Sequence, residues 1–271
     1  MFEDCKEEEE DEEWPLAIIK HDARHAMWML CGTLGVDCRG VPGQACRLLE
    51  RYLAVQMHNF SNLAPGTVVA QGPTFKRQLL RKLPVLMVSC IQLAAKMNSA
   101  YFQMNASFIR VCLIFKGVRL TVDEIKESEF RVYSTLGFRI PLWTSVEAGE
   151  ALAVAAGMPQ EMLEGVALLV NLAEYRRDRL NGRVWWASNL SPPSPNFARV
   201  GLRTVHLAAG SVAAAARQLS YCGPDPAPRL AELTRAPLCY VRCISNCLLT
   251  ELLAGDAGSG VSSSRKRKRQ D

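Results

Sequence analysis

The stretch from Leu79 to Met97 is nearly unbroken apolar sequence, and it constrains the fold more than any other segment. Ser89 and Gln92 carry the only polar side chains between Lys82 and Lys96. A helix that is apolar almost all round has to be buried on all sides. At roughly 15 residues between charged ends, this one is too short to cross a bilayer. The stretch therefore predicts the central helix of an all-α bundle and no membrane span.

Helical patterns surround this stretch in the first half of the chain. The spacing of apolar residues and the capping signals predict helices over Trp14–Leu34, Gln44–Met57, Ala106–Phe115 and from Thr121 to Gly137. Residues 62–74 hold Pro65-Gly66 and Gly72-Pro73, which predicts a loop before the central helix. Pro84 is expected to mark the first turn of the central helix or a kink in it.

A second helical array follows directly. Thr144 and Glu147 form a capping box, and further helices are predicted at 145–156, 160–180, 197–221, 227–234 and 237–254. The small apolar segment Val200–Leu219 is expected to be a second central helix, and Asn189–Asn196, with three prolines and two serines, an exposed loop. Two helical domains are therefore predicted, 14–141 and 142–254, with the split near Pro141–Thr144.

The two ends of the chain are charged, with opposite signs. Residues 1–13 include nine acidic side chains and are expected to be a disordered leader. Residues 255–264 are rich in glycine and serine, which predicts a flexible linker. The chain then ends in a basic run, which predicts a nuclear-import signal. Its members are Arg265, Lys266, Arg267, Lys268 and Arg269. The net charge of +5 permits nucleic-acid contact without arguing for it.

The residues that usually carry catalysis or bind metal form no complete set. His21 and His25 stand one helical turn apart, but no third or fourth ligand follows at a known zinc spacing. Cys239, Cys243 and Cys247 form a stripe that favours a core face over a zinc site. The ten cysteines, without a signal peptide, predict free thiols in a reducing compartment. With no phosphate-binding loop or nucleophile motif, we expect neither an enzyme nor a cofactor.

Three segments together resemble the cyclin box. Ala45–Leu53 resembles the second-helix motif A-V-x-x-x-D-R-F-L, and Gln92–Met97 the L-A-S-K-F of the third helix. Glu129–Ile140 is similar to the E-x-x-x-L-x-x-L-x-F that closes the box. The resemblance to cyclins, and to meiotic cyclin-like members in particular, implies a cyclin fold of two tandem five-helix bundles. It also implies a non-enzymatic nuclear regulator, associated with chromosomes, that binds a cyclin-dependent kinase and acts with meiotic recombination proteins in crossover maturation.

Lys96 and Glu129 are the kinase-binding residues that the resemblance implies. In cyclins, a lysine that ends the third helix and a glutamate in the fifth helix contact the kinase; an ammonium bridges backbone carbonyls and a carboxylate accepts amides. We expect both to lie on one exposed face. The sequence departs from the family at Met97, where cyclins have phenylalanine, and at Glu50, where they have aspartate. The first-helix motif M-R-x-I-L, which docks substrate peptides, is not matched at Met27.

Two other interpretations remain open at this point. One is a cyclin-fold scaffold without a kinase, which would hold recombination or clamp-loading factors through helix grooves or through Trp185-Trp186. The other is a transcription-type cyclin. The basic segment from Arg176 to Arg179 is read as a solvated helix end rather than a contact for an acidic partner.

Overall fold

The structure, a computed structural model, describes residues 19–36, 39–63, 65–98, 105–115, 117–189 and 202–257. Within these ranges all regular structure is helical and no strand is present, which confirms the all-α prediction. A short 3₁₀ turn, Gln160–Met162, precedes α7. The helices are α1 His21–Leu34, α2 Val41–Ser61, α3 Pro65–Asn98, α4 Ala106–Phe115, α5 Val122–Thr135, α6 Ser145–Ala155, α7 Leu163–Tyr175, α8 Arg177–Asn189, α9 Thr204–Gln218, α10 Ala227–Thr234 and α11 Leu238–Ala257.

The second half of α3 is the centre of the first helical array, as predicted. Every residue from Leu86 to Ala95 is buried, and α1, α2 and α5 pack around this part of the molecule. The segment Gln71–Asn98 is long and apolar enough to cross a membrane, but 56% of its most apolar window is buried inside the protein. A buried core helix can have the same length and composition as a membrane span, and the burial of this segment is that of a core helix.

The predicted loop at residues 62–74 is wrong, because α3 begins at Pro65 and continues through both Gly72-Pro73 and Pro84. Pro84 therefore lies in the interior of the helix instead of its first turn. The Phe75 ring stacks on Phe60 of α2 with centroids 4.3 Å apart, so a tertiary contact holds this early part of the helix. Such contacts regularly override local propensity.

Replacing Ala94 by leucine is expected to destabilise the first array by about 1–3 kcal/mol, since extra volume in a packed core forces side chains off their rotamers. Ala94 is completely buried. The measurement is the urea midpoint followed by circular dichroism. Gln78→Leu, on an exposed turn of the same helix, is the matched control and should leave the midpoint nearly unchanged. An unaltered midpoint in Ala94→Leu would show that α3 is less enclosed than the structure indicates.

The second array is built around α9. Every residue from Leu207 to Ala216 is buried, and α6, α7, α10 and α11 pack against this helix. The predicted second central helix is therefore confirmed, although it starts at Thr204 and not before Val200. The predicted helix at 160–180 is interrupted at Arg176 and resumes as α8. The expected loop at Asn189–Asn196 lies almost entirely outside the described residues.

Gly210 lets α9 and α11 approach closely, because a Cβ atom added there would overlap the side chain of Ile244. Gly210→Ala is therefore expected to destabilise the protein by about 1–3 kcal/mol. Gly182, in the middle of α8, has open space around it. Gly182→Ala should stabilise the protein by about 0.4–1 kcal/mol. The two variants, compared by thermal melting, have to shift the midpoint in opposite directions; a shift of the same sign in both would refute the close approach.

Capping boxes mark the start of the last helix of the first array and the start of the first helix of the second array. Thr121 with Glu124 starts α5, and Thr144 with Glu147 starts α6; both pairs form the reciprocal hydrogen bonds that the sequence predicts. The buried residues form one cluster that ends at Leu136 and a second that begins at Val146. The predicted split near Pro141–Thr144 lies between these clusters, and the division into two domains stays a prediction.

Candidate protein-interaction site

Lys96 and Glu129, 33 positions apart in the chain, form an ion pair on the surface of the first array. Lys96 lies in the last turn of α3, and Glu129 lies in the middle of α5. The Lys96 side chain is 50% exposed and that of Glu129 16% exposed, so the ammonium faces solvent while the carboxylate lies lower in the surface. The structure thus brings together the two residues that the sequence analysis singled out.

Buried contacts between α3 and α5 fix the position of this pair. The Ser128 hydroxyl, next to Glu129, accepts a hydrogen bond of 2.8 Å from Ser89 of α3. Both serines are buried. A hydrogen bond between two polar groups inside an otherwise apolar interface fixes the register in which the two helices pack. The side chain of Asn98 donates to the Ala94 carbonyl and so holds the last turn of α3. The ion pair therefore lies where α3 and α5 are held together by buried contacts.

Aromatic side chains lie beside the ion pair, and we call them the aromatic rim: Phe130, Tyr133 and Phe138. Phe130 is 65% exposed and Phe138 55% exposed. The ring of Phe138 packs edge-on against Tyr133 at 5.0 Å and lies 6.3 Å from Phe130. Exposed apolar side chains grouped beside fixed charges are typical of surfaces that bind other proteins.

The backbone at the end of α5 turns in a way that places Phe138 on the rim. Gly137 and Phe138 both have positive φ, at 66° and 61°. Glycine adopts this conformation freely, whereas it is unusual for a bulky residue such as phenylalanine. In the sequence, Gly137 indicates only a helix end, and the aromatic rim was not predicted. The signal was present, because Phe130 and Phe138 both lie inside the motif 129–140.

Chemically, the site offers charge-assisted hydrogen bonds next to apolar contact area. An ammonium has three donors and no acceptor, so Lys96 has donors beyond the one directed at Glu129. Carbonyl groups of a partner can accept from these donors. The aromatic rim supplies the large, rigid side chains that dominate binding energy at protein interfaces.

A cluster of buried charges joins the two arrays, and the sequence analysis missed it. Arg24 of α1 pairs with Glu50 of α2 and donates to the Glu174 carbonyl at 3.2 Å. The carboxylate of Glu174, at the end of α7, lies 3.7 Å from Arg47 and 3.3 Å from Arg177. Arg24 and Glu174 are completely buried. We call these five residues the junction ion cluster.

Burial and charge act in opposite directions on the two carboxyl groups of this cluster. Burial raises the pKa of Glu50, and the neighbouring Arg24 offsets only part of that effect. Burial also acts to raise the pKa of Glu174, but the guanidinium groups of Arg177, Arg47 and Arg24 outweigh it and lower the pKa. Glu174 is therefore held as a carboxylate by the arginines that surround it.

The junction ion cluster corrects the expectation for one basic residue. Arg177 was read as part of a solvated helix end, but its guanidinium lies against buried Glu174 and donates to the Leu202 carbonyl at 2.5 Å.

The two histidines of α1 contact the second array. Tyr175 of α7 shares a 2.9 Å hydrogen bond with the Nδ1 atom of His25. The rings of His21 and Trp28 pack edge-on against Tyr175 at 5.0 and 5.3 Å. Within the residues that the structure describes, no group of three or more His, Cys, Asp and Glu side chains could hold a metal. His21 and His25 thus form part of an aromatic contact across the junction.

Of the other residues that the sequence singled out, some lie in described parts of the structure and others do not. Cys239 is exposed, while Cys243 and Cys247 are half-buried, so the expected core face is wrong for the first and only partly right for the others. Trp186 is 67% exposed on α8, whereas the side chain of Trp185 lies outside what the structure describes. The acidic leader and the basic run Arg265–Arg269 also lie outside the described residues.

Comparison with known proteins supports a cyclin-like relationship, which confirms the resemblance seen in the motifs. Over 125 residues, 44% of this chain, it is 30% identical to Cyclin N-terminal domain-containing protein 1 of Homo sapiens. It is 29% identical to the Mus musculus protein of the same name. The match spans 38% of the length of the human relative and 37% of the mouse relative. No protein-family model matches the chain.

Proposed function

We propose that this chain is a non-enzymatic, cyclin-like regulator that binds a cyclin-dependent kinase through Lys96, Glu129 and the aromatic rim. The observation that carries the proposal is the ion pair at the end of α3. The cyclin resemblance implies a lysine and a glutamate in separate motifs, and the two side chains meet at the surface. The curated relatives, named for a cyclin N-terminal domain, support the same class.

The proposal includes the arrangement of the helices. In it, α1 to α5 form one cyclin box around α3, and α6 to α11 form a second cyclin-like bundle around α9. Two observations support this arrangement: each of the two central helices has a continuously buried segment, and the buried residues divide into two clusters. The junction ion cluster would then fix one bundle against the other.

The cellular part of the proposal is a nuclear role in meiotic crossover maturation, on chromosomes and together with meiotic recombination proteins. It is supported by the cyclin-like relationship and by the resemblance to meiotic members of the family, with the basic run Arg265–Arg269 as the nuclear-import signal.

The test is affinity purification of the tagged full-length chain from germ cells that are undergoing recombination, followed by mass spectrometry. A cyclin-dependent kinase should be recovered with the wild-type chain and be strongly depleted with a Lys96→Ala, Glu129→Lys variant. Recovery of recombination factors without any kinase would refute the kinase part. Equal kinase recovery from both proteins would show that the kinase binds elsewhere.

A kinase-independent scaffold is the second candidate, and one observation favours it. Trp186 presents a large, exposed indole on α8, in the second array and therefore on a helix that does not contribute to the Lys96–Glu129 site. Tryptophan is the side chain most enriched at binding hot spots. In the same purification, a Trp186→Ala variant that loses recombination or clamp-loading factors while kinase recovery is unchanged would assign the scaffold role to α8.

A further inference from the structure

Residues 55–85, where α2 ends and α3 begins, extend beyond the core of the first array. The two helices pack against each other, and the rings of Phe60 and Phe75 stack between them. Among the described side chains from 55 to 85 none is buried, whereas Ala54 and Leu86 on either side are. We call these residues the α2–α3 hairpin.

Four cations lie on the exposed surface of this hairpin, within about two turns of α3. Within the described part of the chain, none of the four has an ion-pair partner. All four are exposed: Lys76, Arg77, Arg81 and Lys82. The half-buried side chains of the same turns are apolar: Phe75, Leu79 and Leu83. The hairpin therefore presents its positive charge to solvent.

The sequence around these cations contains no compensating charge. From Arg51 to Val122 it has no aspartate or glutamate, but nine lysines and arginines. The net charge of +5 for the whole chain therefore understates the positive charge of this part. Arg77 and Arg81 stand one turn apart on α3, and like charges at that spacing repel each other. A partner with closely repeated negative charges would remove this repulsion.

We propose that the α2–α3 hairpin binds the phosphate backbone of double-stranded DNA without reading its sequence. Duplex DNA carries one negative charge for about every 1.7 Å of its axis. Lys76 and Lys82 lie about 9 Å apart along α3, so the four cations can meet several phosphates. The other exposed side chains include amides and hydroxyls of the kind that contact phosphates: Asn59, Ser61, Asn62, Thr74 and Gln78.

The aromatic residues of the hairpin favour duplex DNA over a protein or a single strand. Protein interfaces depend on exposed aromatic anchors and are depleted in lysine, and single strands are bound by stacking their bases on aromatic rings. Residues 55–85 include no tryptophan or tyrosine, and Phe60 and Phe75 are half-buried against each other. The described side chains of the hairpin thus offer charge and hydrogen-bond donors, which suit a phosphate backbone.

The experiment measures binding of the full-length chain to a short fluorescein-labelled DNA duplex of mixed sequence, by fluorescence anisotropy over a salt series. The test variant replaces the four cations by glutamine, a good helix former: Lys76→Gln, Arg77→Gln, Arg81→Gln and Lys82→Gln. At about 0.1 M salt it should bind at least tenfold more weakly than the wild type. The slope of log K against log salt should fall in magnitude by about 3–4, since each phosphate contact contributes about 0.9.

The matched control removes four exposed arginines of the second array: Arg217→Gln, Arg229→Gln, Arg235→Gln and Arg242→Gln. Its net charge equals that of the test variant. Both variants keep the acidic leader and the basic run at the ends of the chain, so the contributions of these segments cancel in the comparison. The control should bind DNA with nearly wild-type affinity, and thermal melting followed by circular dichroism verifies that both variants are folded.

Three results would overturn the proposal. The first is a wild-type chain that does not bind the duplex even at low salt. The second is an equal loss of DNA affinity in the test and control variants, because binding would then follow net charge and not the hairpin. A labelled polyglutamate peptide supplies the third: if the test variant loses affinity for this peptide while its DNA affinity is unchanged, the hairpin is a contact for an acidic protein segment.

Discussion

Replacing Glu174 by glutamine is expected to lower the free energy of unfolding by about 3–5 kcal/mol, the usual cost of removing one partner from a buried ion pair. Glutamine has nearly the same shape, so little of this loss comes from packing. Glu174 is completely buried, and Arg47 and Arg177 both lie within 4 Å of its carboxylate. Without the carboxylate, the guanidinium groups of Arg47 and Arg177 lose the negative charge that lies against both of them in a largely desolvated place.

The measurement is urea denaturation followed by circular dichroism, with Glu232→Gln as the matched control. Glu232 pairs with Arg229 at 3.0 Å, but both side chains are more than half exposed. Exposed pairs contribute about 0–1 kcal/mol, so the control should hardly move the midpoint. Equal, small effects in both variants would mean that water reaches Glu174 and that the junction is looser than the structure shows.

The pH dependence of stability gives an independent check on the same carboxylate. The pKa of Glu174 is lowered in the folded protein, so its contribution is fully present above the ordinary glutamate value of 4.5 and is lost as the pH falls below it. The pKa of Glu50 is raised in the folded protein, so the contribution of Glu50 to the free energy of unfolding increases as the pH falls. Glu174→Gln should therefore remove part of the acid-induced loss of stability that the wild-type chain shows.

Much of the fold could be predicted because local patterns determine it. The run from Leu86 to Ala95, in which Ser89 and Gln92 are the only polar residues, allows no exposed helix face. The mostly small and apolar residues 207–216 indicate the same for α9. The capping boxes at Thr121 and Thr144 mark helix starts directly. Lys96 and Glu129 could be paired only through the cyclin motifs, since nothing local indicates that residues 33 positions apart meet.

The features that were missed depend on contacts between distant parts of the chain. Arg24 and the Glu174 carbonyl are 150 positions apart, and no pattern near either residue shows that they meet. The start of α3 was read as a loop from its glycines and prolines, because stacking of Phe60 on Phe75 is invisible in the sequence. Cys239 has the spacing of a core position, but α8 leaves a groove where a covering side chain would have buried it.

A cyclin-dependent kinase that co-purifies with the chain is expected to bind the Lys96→Ala, Glu129→Lys double variant at least about thirtyfold more weakly than the wild type. Truncating a charged partner in a desolvated contact costs about 2–5 kcal/mol, and about 1.4 kcal/mol is a tenfold change in affinity. The change at Glu129 also replaces a carboxylate that can accept hydrogen bonds with an ammonium that cannot. The measurement is the dissociation constant by calorimetry with purified proteins.

The matched control changes the same residue types on the same two helices. Lys82 lies on α3 about 21 Å along the helix axis from Lys96, and Glu127 lies two residues before Glu129 on α5; both are exposed. A Lys82→Ala, Glu127→Lys variant carries the same net charge as the test variant, so long-range electrostatic effects are matched. It should bind the kinase with nearly wild-type affinity.

Stability has to be followed together with binding, because Glu129 contributes to the surface of α5. Substitutions at exposed positions usually change stability by less than about 0.5 kcal/mol, so the control variant should melt close to the wild type. The Glu129 side chain is only 16% exposed, so the test variant should melt somewhat lower while it stays folded at the temperature of the binding measurement. Phe130→Ala then tests the aromatic rim without altering charge, and it should also weaken binding if the kinase covers the whole site. Kinase affinity that is equal in the test and control variants, with both folded, would refute the Lys96–Glu129 site. Loss of affinity in the test variant alone would locate the kinase contact at the meeting of α3 and α5.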